Sequence, residues 1–215
     1  MPQMETLSLS SARDGLELPL LCCVPDGDVR AVVQFSHGMC ENKERYAPFM
    51  EYLASHGFAC AIHDHRGHGA AALKRGELGY FGADGASALV DDLHQVTQWL
   101  RGRFPSKRVY LFGHSMGSLA ARVYAGRFDG ELAGLVVCGS PGWNPGAPFG
   151  RLMARVLGAR SGGRTRSRFL KVLTLSLIHI SSPRAAARCA CWKPASAPGR
   201  PTSWRSAARA AGGWK

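Results

Sequence analysis

The most informative stretch of this sequence is GHSMG, residues 113–117, which places a serine between two glycines. This spacing fits the G-x-S-x-G pattern of a nucleophilic serine on a sharp strand-to-helix turn. A serine hydroxyl is a weak nucleophile at neutral pH, so catalysis also needs a histidine base and a carboxylate that orients it. The sequence therefore predicts Ser115 as a nucleophile and raises the question of where its two partners lie.

The surroundings of the motif favour the same chemistry. The apolar run VYLF, residues 109–112, precedes it, and a helical pattern over residues 118–125 follows it. Such a turn leaves little room beside the serine, so Gly113 and Gly117 are expected to avoid clashes that Cβ atoms would make. The amide of Met116 is expected at a helix N-terminus, where it can donate a hydrogen bond to an oxyanion.

A second loop with suitable chemistry is SHGMCENKERY, residues 36–46, which follows a buried apolar strand. A His-Gly pair at the end of such a strand places a loop beside a nucleophile elbow, where a backbone amide can supply the second oxyanion donor. Met39 is the candidate donor, and Gly38 belongs to its supporting loop. We expect His37 to pack against this loop and hydrogen-bond it, rather than to transfer protons.

Three charged or titratable residues near these loops have structural expectations. Glu41 and Arg45 stand four residues apart and are predicted to form an ion pair that orders the loop. His114 directly precedes the nucleophile and is predicted to point along or below the turn, where it could not replace the missing base.

A rival chemistry is offered by HDHRGHG, residues 63–69. His63, His65 and His68 have the H-x-H-x-x-H spacing that metallo-β-lactamase-like hydrolases use for a dinuclear metal site. Those enzymes normally carry Asp just before the last histidine, where this chain has Gly67, and need further ligands downstream. A metal-dependent hydrolase is therefore the weaker alternative.

The motifs HGMCENKERY, DHRGHG and GHSMGS together resemble the monoacylglycerol lipase and lysophospholipase branch of the α/β-hydrolase fold, a group also labelled serine aminopeptidase-like hydrolases. The resemblance implies that Ser115 is the nucleophile and that the Met39 and Met116 amides form the oxyanion hole. It implies a lipid-like carboxylic ester as substrate, such as a monoacylglycerol or lysophospholipid. It further implies no cofactor, no nucleic-acid partner, and peripheral membrane contact through a cap.

Short apolar runs alternate with helical patterns along the first two thirds of the chain, which predicts an α/β fold with a mostly parallel sheet and flanking helices. By resemblance this is an incomplete α/β-hydrolase fold, with its last strands missing and a helical cap beginning. Residues 1–142 are the predicted core, 143–176 the start of the cap, and 177–215 a separate tail. The predicted strands are 6–10, 16–24, 31–35, 58–62, 109–112 and 132–138, and the predicted helices are 46–56, 89–100 with Ser87 as N-cap, and 118–125.

The charge of the chain is divided unevenly. The net charge is +12, but residues 1–131 hold all 15 acidic residues and 13 of the 27 Lys and Arg. The tail, residues 177–215, is acid-free and rich in Ala, Arg, Ser and Pro, so it is either disordered or an out-of-frame translation. A class-distinct alternative function follows: a noncatalytic protein that binds nucleic acid or an anionic membrane through this tail.

The two missing partners of the nucleophile are the weak point of the catalytic interpretation. In α/β-hydrolases the order along the chain is nucleophile, acid, histidine. After Ser115 the only acids are Asp129 and Glu131, which precede the next strand, and the only histidine is His179. We therefore expect the chain as written to be nearly inactive.

Composition indicates the compartment. The seven cysteines form no CxxC pair, so disulfides and zinc are not expected. The sequence has no apolar run near the ~20 residues of a membrane span, and its N-terminus lacks the pattern of a secretory signal. A cytoplasmic location is the expectation, and the oligomeric state is left open.

Overall fold

The protein is described by a computed structural model that covers residues 1–82 and 84–140 and the isolated positions 142, 152, 190 and 191. Within these residues one mixed sheet has the strand order β1-β2-β4-β3-β5-β6-β7. The strands are β1 (Gln3–Ser10), β2 (Glu17–Val24), β3 (Ala31–Ser36), β4 (Phe58–His63), β5 (Val109–His114), β6 (Gly134–Cys138) and β7 (Ala190–Cys191). The helices are α1 (Ala47–Ser55), α2 (Gly69–Lys74), α3 (Gly85–Arg103) and α4 (Met116–Arg127), and a 3-10 helix (Lys43–Tyr46) precedes α1.

The centre of the sheet is parallel. Strands β4, β3, β5 and β6 run in one direction, whereas β1, β2 and β7 pair antiparallel with their neighbours. The central strands are nearly continuous apolar runs, as expected for strands covered on both faces. The prediction of a mostly parallel sheet with flanking helices is confirmed, and strands β1 and β2 form an antiparallel pair at its N-terminal edge.

Two apolar cores lie on opposite faces of the sheet. Helices α3 and α4 pack on one face, where Leu93, Leu100 and Leu111 are fully buried. Helix α1 packs on the other face against Phe35 and Ile62. Because β4, β3, β5 and β6 are parallel, the loops that follow them lie together at the carboxyl ends of the strands, where ligands of α/β proteins bind.

The predicted start of one helix was wrong, and one short helix was not predicted. Helix α3 begins at Gly85, and the Ala88 amide donates to the Asp84 carbonyl at 3.0 Å, so the first turn continues through residues predicted to lie before the helix. Ser87 is therefore inside α3 rather than at its N-cap, and its hydroxyl accepts from Arg127 at 3.3 Å. Helix α2 was not predicted, because its six residues (GAAALK) are too few to show a helical period.

The predicted cap, residues 143–176, and the predicted tail, residues 177–215, lie outside the described residues except for positions 152, 190 and 191. The short strand β7, within the tail, pairs antiparallel with Val136 and Val137 of β6, and the sequence had not predicted it. No helix in the described part of the chain is long and apolar enough to cross a membrane.

Candidate active site

The GHSMG turn joins β5 to α4 and holds Ser115 in unusual backbone geometry. Ser115 has φ 52° and ψ −118°, a region that non-glycine residues rarely adopt. Holding such a residue costs on the order of 1–3 kcal/mol, and these conformations cluster at functional sites. The Ser115 amide donates to the Cys138 carbonyl at 2.9 Å, so the end of β6 holds the turn in place.

The two glycines of the motif lie where side chains would collide. A Cβ atom at Gly113 would lie 2.6 Å from the Gly117 carbonyl oxygen, and one at Gly117 would overlap the carbonyl oxygen of Ser36. Both contacts are with backbone atoms, which cannot move aside as the tip of a flexible side chain can. The structure therefore brings the elbow against the end of β3, where the predicted oxyanion loop begins.

The Met116 amide is directed by hydrogen bonds to the other end of its own peptide group. The Ser115 carbonyl accepts from the Ser118 hydroxyl at 2.5 Å and from the Ser118 amide at 3.0 Å. In a planar trans peptide the carbonyl and the following N–H point in opposite directions, so these bonds turn the Met116 N–H away from α4. This amide stands at the N-terminus of a 12-residue helix, which favours a negative ligand.

The Met39 amide is directed in the same way. The Gly38 carbonyl accepts a hydrogen bond from Nδ1 of His37 at 2.8 Å. Because the carbonyl and the N–H of a trans peptide point in opposite directions, the Met39 N–H points away from the His37 ring. Nε2 of the same ring accepts from the His65 amide at 3.0 Å, so the proton of neutral His37 is on Nδ1. His37 thus packs and hydrogen-bonds the loop, as the sequence indicated. Within residues 1–82 and 84–140 the Met39 amide has no hydrogen-bond acceptor.

Four buried histidines, one of which is His37 of this loop, pack against one another. The ring of His37 lies 4.2 Å from that of His65 and 5.1 Å from that of His68, and the rings of His63 and His65 are 4.9 Å apart. Burial lowers the pKa of His37 to about 4 and that of His63 to about 3. Among the described residues no group of three or more His, Cys, Asp or Glu is placed to hold a metal ion, so the geometry gives the metal-site alternative no support.

The two acids that follow Ser115 in the sequence lie in the connection before β6. Glu131 precedes β6, whose far end contacts Ser115, so a strand length separates the two residues. Its carboxylate accepts from Nε2 of His94 at 3.1 Å and from the Tyr124 hydroxyl at 2.9 Å. Asp129 stands in the same connection, and His179 lies outside the described residues. In the part of the chain that is described, no carboxylate–histidine pair follows Ser115 in the order expected for the family.

His114, which directly precedes the nucleophile, contacts the oxyanion loop through its side chain. Its Nδ1 is 3.2 Å from Oε2 of Glu41, and its other edge faces Gly139. Glu41 also keeps the predicted ion pair with Arg45, at 3.4 Å. The contact between Glu41 and His114 was not predicted, because the four-residue spacing already offered Glu41 a partner in Arg45. The signal for it was a carboxylate in a buried loop whose amides need acceptors.

Comparison with known proteins gives a consistent result. Residues 27–171 match the family model described as "Serine aminopeptidase, S33". The chain is 31% identical over 115 residues to a monoacylglycerol lipase of Mycolicibacterium smegmatis, covering 54% of this chain and 39% of that protein. It is 31% identical over 113 residues to the human monoglyceride lipase, covering 53% of this chain and 36% of the relative. The chain thus spans well under half the length of these relatives.

Solved structures show the same architecture. A thermostable carboxyl esterase from Bacillus coagulans, determined in complex with glycerol, superposes with a TM-score of 0.71 at 27% identity, covering 86% of this chain and 60% of that one. A structure described as a lipase in open form gives a TM-score of 0.73 at 25% identity, with 86% and 61% covered. The family model spans well over half of the 215 residues. This chain therefore belongs to the serine aminopeptidase S33 family and has the α/β-hydrolase fold.

Proposed function

We propose that this chain is a serine hydrolase of the lipase and esterase type, which acts on carboxylic esters such as monoacylglycerols or lysophospholipids. One observation carries the proposal: Ser115 has a strained backbone, and hydrogen bonds to the Gly38 and Ser115 carbonyls orient the amides that follow them, those of Met39 and Met116. Both amides are then placed to bind an anion. The names of the relatives support the substrate class, since they are monoacylglycerol and monoglyceride lipases.

The proposed chemistry is acyl transfer. The hydroxyl oxygen of Ser115 attacks the ester carbonyl, and the carbonyl oxygen becomes an oxyanion held by the Met39 and Met116 amides. Collapse of this intermediate breaks the bond to the alcohol and leaves an acyl-enzyme. Water then attacks the acyl-enzyme, releases the fatty acid and restores the serine. Each step needs a base that takes a proton from the attacking group and returns it to the leaving group.

We infer that the 215-residue chain, tested alone, turns over esters slowly. After Ser115 it offers one histidine, His179, with no acid beyond Glu131 to orient it. Loss of triad members lowers kcat by on the order of 10⁴–10⁶, and the oxyanion hole and substrate binding account for what remains. Among the described residues no group is placed to hold a metal ion, and the basic tail lies outside them apart from positions 190 and 191.

The proposal extends to the cellular compartment and to the membrane. We propose that the enzyme works in the cytoplasm on lipid-like esters, and that residues 143–176 contact the membrane surface from which such substrates are drawn. A peptidase or acyltransferase would use the same elbow, so a panel of aryl esters, monoacylglycerols and aminoacyl amides separates the three.

The decisive experiment is covalent labelling of the nucleophile. A fluorophosphonate probe is expected to modify the wild-type chain slowly and at one site, which peptide mass spectrometry assigns to Ser115. Ser115→Ala abolishes the signal, whereas Ser55→Ala, at an exposed serine that ends α1, leaves it unchanged. Folded protein that is not labelled, or a Ser115→Ala chain labelled as well as wild type, would overturn the proposal.

A further inference from the structure

A single buried carboxylate joins the oxyanion loop to the nucleophile elbow. The side chain of Glu41 is 8% exposed. Its Oε2 accepts from the Gly38 amide at 2.8 Å and from the Tyr46 hydroxyl at 2.9 Å, and Nδ1 of His114 lies 3.2 Å away. These three groups belong to the oxyanion loop, to the 3-10 helix that leads into α1, and to the residue before Ser115.

The bond to Gly38 determines which amide of the loop is free. Glu41 takes the Gly38 N–H, while His37 takes the Gly38 carbonyl. Because side chains satisfy both polar groups of Gly38, its amide is not available to an oxyanion, whereas the next amide, that of Met39, has no acceptor within residues 1–82 and 84–140. Packing reinforces this arrangement, because a Cβ atom at Gly38 would lie 3.0 Å from Oε2 of Glu41 and 3.2 Å from Nδ1 of His114.

The bond to His114 links the two oxyanion donors. Met39 belongs to the same loop as Glu41, and Met116 follows His114 by two residues, so the contact between Glu41 and His114 connects the two segments. Burial raises the pKa of Glu41, but the hydrogen bonds from Gly38, Tyr46 and His114 outweigh it, so the pKa of Glu41 lies below its usual value. The group is therefore an ionised acceptor at neutral pH, and hydrogen bonds to ionised groups are the stronger kind.

We propose that Glu41 is a positioning residue that sets the distance between the Met39 and Met116 amides by holding the oxyanion loop against His114. This inference rests on the proposed function and assigns a role to a residue that touches neither the substrate nor the reacting atoms. A small displacement of one donor weakens an oxyanion hole, and a misplacement of about 1 Å costs up to about 100-fold in rate.

The test compares three variants. Glu41→Ala is expected to slow fluorophosphonate labelling of Ser115 about 10- to 100-fold, and Glu41→Gln, which keeps an acceptor oxygen, gives an intermediate rate. Glu44→Gln, at an exposed neighbour on the 3-10 helix, is the matched control and keeps the wild-type rate. Circular dichroism confirms that each variant is folded, and Glu41→Gln decides the matter if Glu41→Ala does not fold. Labelling of both Glu41 variants at the wild-type rate overturns the inference.

A second readout separates this inference from the function on which it rests. Amide hydrogen exchange at Gly38, followed by NMR, reports the bond to Glu41 without any reaction at Ser115. Exchange at Gly38 is expected to be at least tenfold faster in the Glu41→Ala chain than in Glu44→Gln, and to be intermediate in Glu41→Gln, which keeps an acceptor oxygen. If wild-type protein is not labelled, the proposed function fails and the exchange rates alone judge the positioning role. Unchanged exchange in both Glu41 variants overturns it.

Discussion

The guanidinium group of Arg66 and the carboxylate of Asp92 form a buried ion pair between the loop after β4 and helix α3. Their side chains are 3% and 2% exposed, and Nε of Arg66 lies 2.5 Å from Oδ2 of Asp92. The same guanidinium donates to the Ser11 hydroxyl at 2.8 Å and pairs with Asp14. The pair therefore ties the loop behind the active site to both the N-terminal hairpin and α3.

Arg66→Ala is expected to destabilise the fold by about 3–5 kcal/mol, because it leaves Asp92 buried without its counter-charge. The matched control is Arg13→Ala, because its partner Asp84 is exposed and its partner Asp91 is partly exposed. The loss of these ion pairs is expected to cost less than about 1 kcal/mol. Urea unfolding of both variants measures the difference. Equal losses in the two variants would show that burial of the pair does not decide its contribution.

Gly117→Ala is expected to disrupt the elbow, because the new Cβ atom would overlap the carbonyl oxygen of Ser36. Overpacking of this kind costs about 3 kcal/mol, and labelling of Ser115 should fall with it. Gly126→Ala is the control in the same helix, where the position is open. Alanine there should stabilise the protein by about 0.5–1 kcal/mol. A Gly117→Ala chain as stable and reactive as wild type would contradict this account of the turn.

The histidine cluster predicts loss of stability in mild acid. The histidines of the unfolded chain take up protons near pH 6.5, whereas in the folded chain the pKa is about 4 for His37 and about 3 for His63. Between these values the unfolded state binds more protons, so the free energy of unfolding falls as the pH falls from 6.5 toward 4. The slope is about 1.4 kcal/mol per pH unit for each such histidine.

Urea unfolding at several pH values between 5 and 7 measures this slope. His63→Gln is expected to lower it by the share of one histidine, because it removes one buried titrating group. His56→Gln, at an exposed position after α1, should leave it unchanged. A free energy of unfolding that does not change over this range would show that the buried rings are not neutral in the folded state.

Tyr124→Phe separates stability from reactivity. The buried Tyr124 hydroxyl donates to Glu131 at the end of the sheet away from Ser115, and its loss should cost about 1 kcal/mol. Labelling of Ser115 in the folded variant should stay at the wild-type rate, and Tyr52→Phe, at a residue 60% exposed, should change neither property. Slower labelling of folded Tyr124→Phe would show that this cluster affects the site.

Local patterns predicted the elements well, because each central strand is a short apolar run between turn residues. The elbow was also predictable, since its two glycines, which the turn needs because Cβ atoms would collide there, stand within the five residues of GHSMG. Helix α2 and the true start of α3 were not, because small residues such as Ala86 and Ala88 show no periodic pattern. In both places backbone hydrogen bonds define the helix, and no pattern of side chains indicates them.

The supporting interactions of the site were the hardest to predict. Glu41 meets His114, and Arg66 meets Asp92, only because the loops after β3 and β4 fold against elements distant in the sequence. A sequence shows that a carboxylate or a guanidinium is present. Its partner is determined by tertiary packing, and several partners were available to each. The direction of the Met39 amide depends on the tautomer of His37, which its tertiary contact with His65 fixes.

The contact between Gly117 and Ser36 has a consequence for how the protein can be assayed. These residues lie far apart along the chain, so the elbow acquires its shape only after the central strands have docked. A partly folded or collapsed chain keeps the serine but has neither its strained backbone nor the two aligned amides. Stoichiometric labelling of Ser115 would therefore count the molecules in a preparation that have reached the native topology, and would serve as a titration of correct folding.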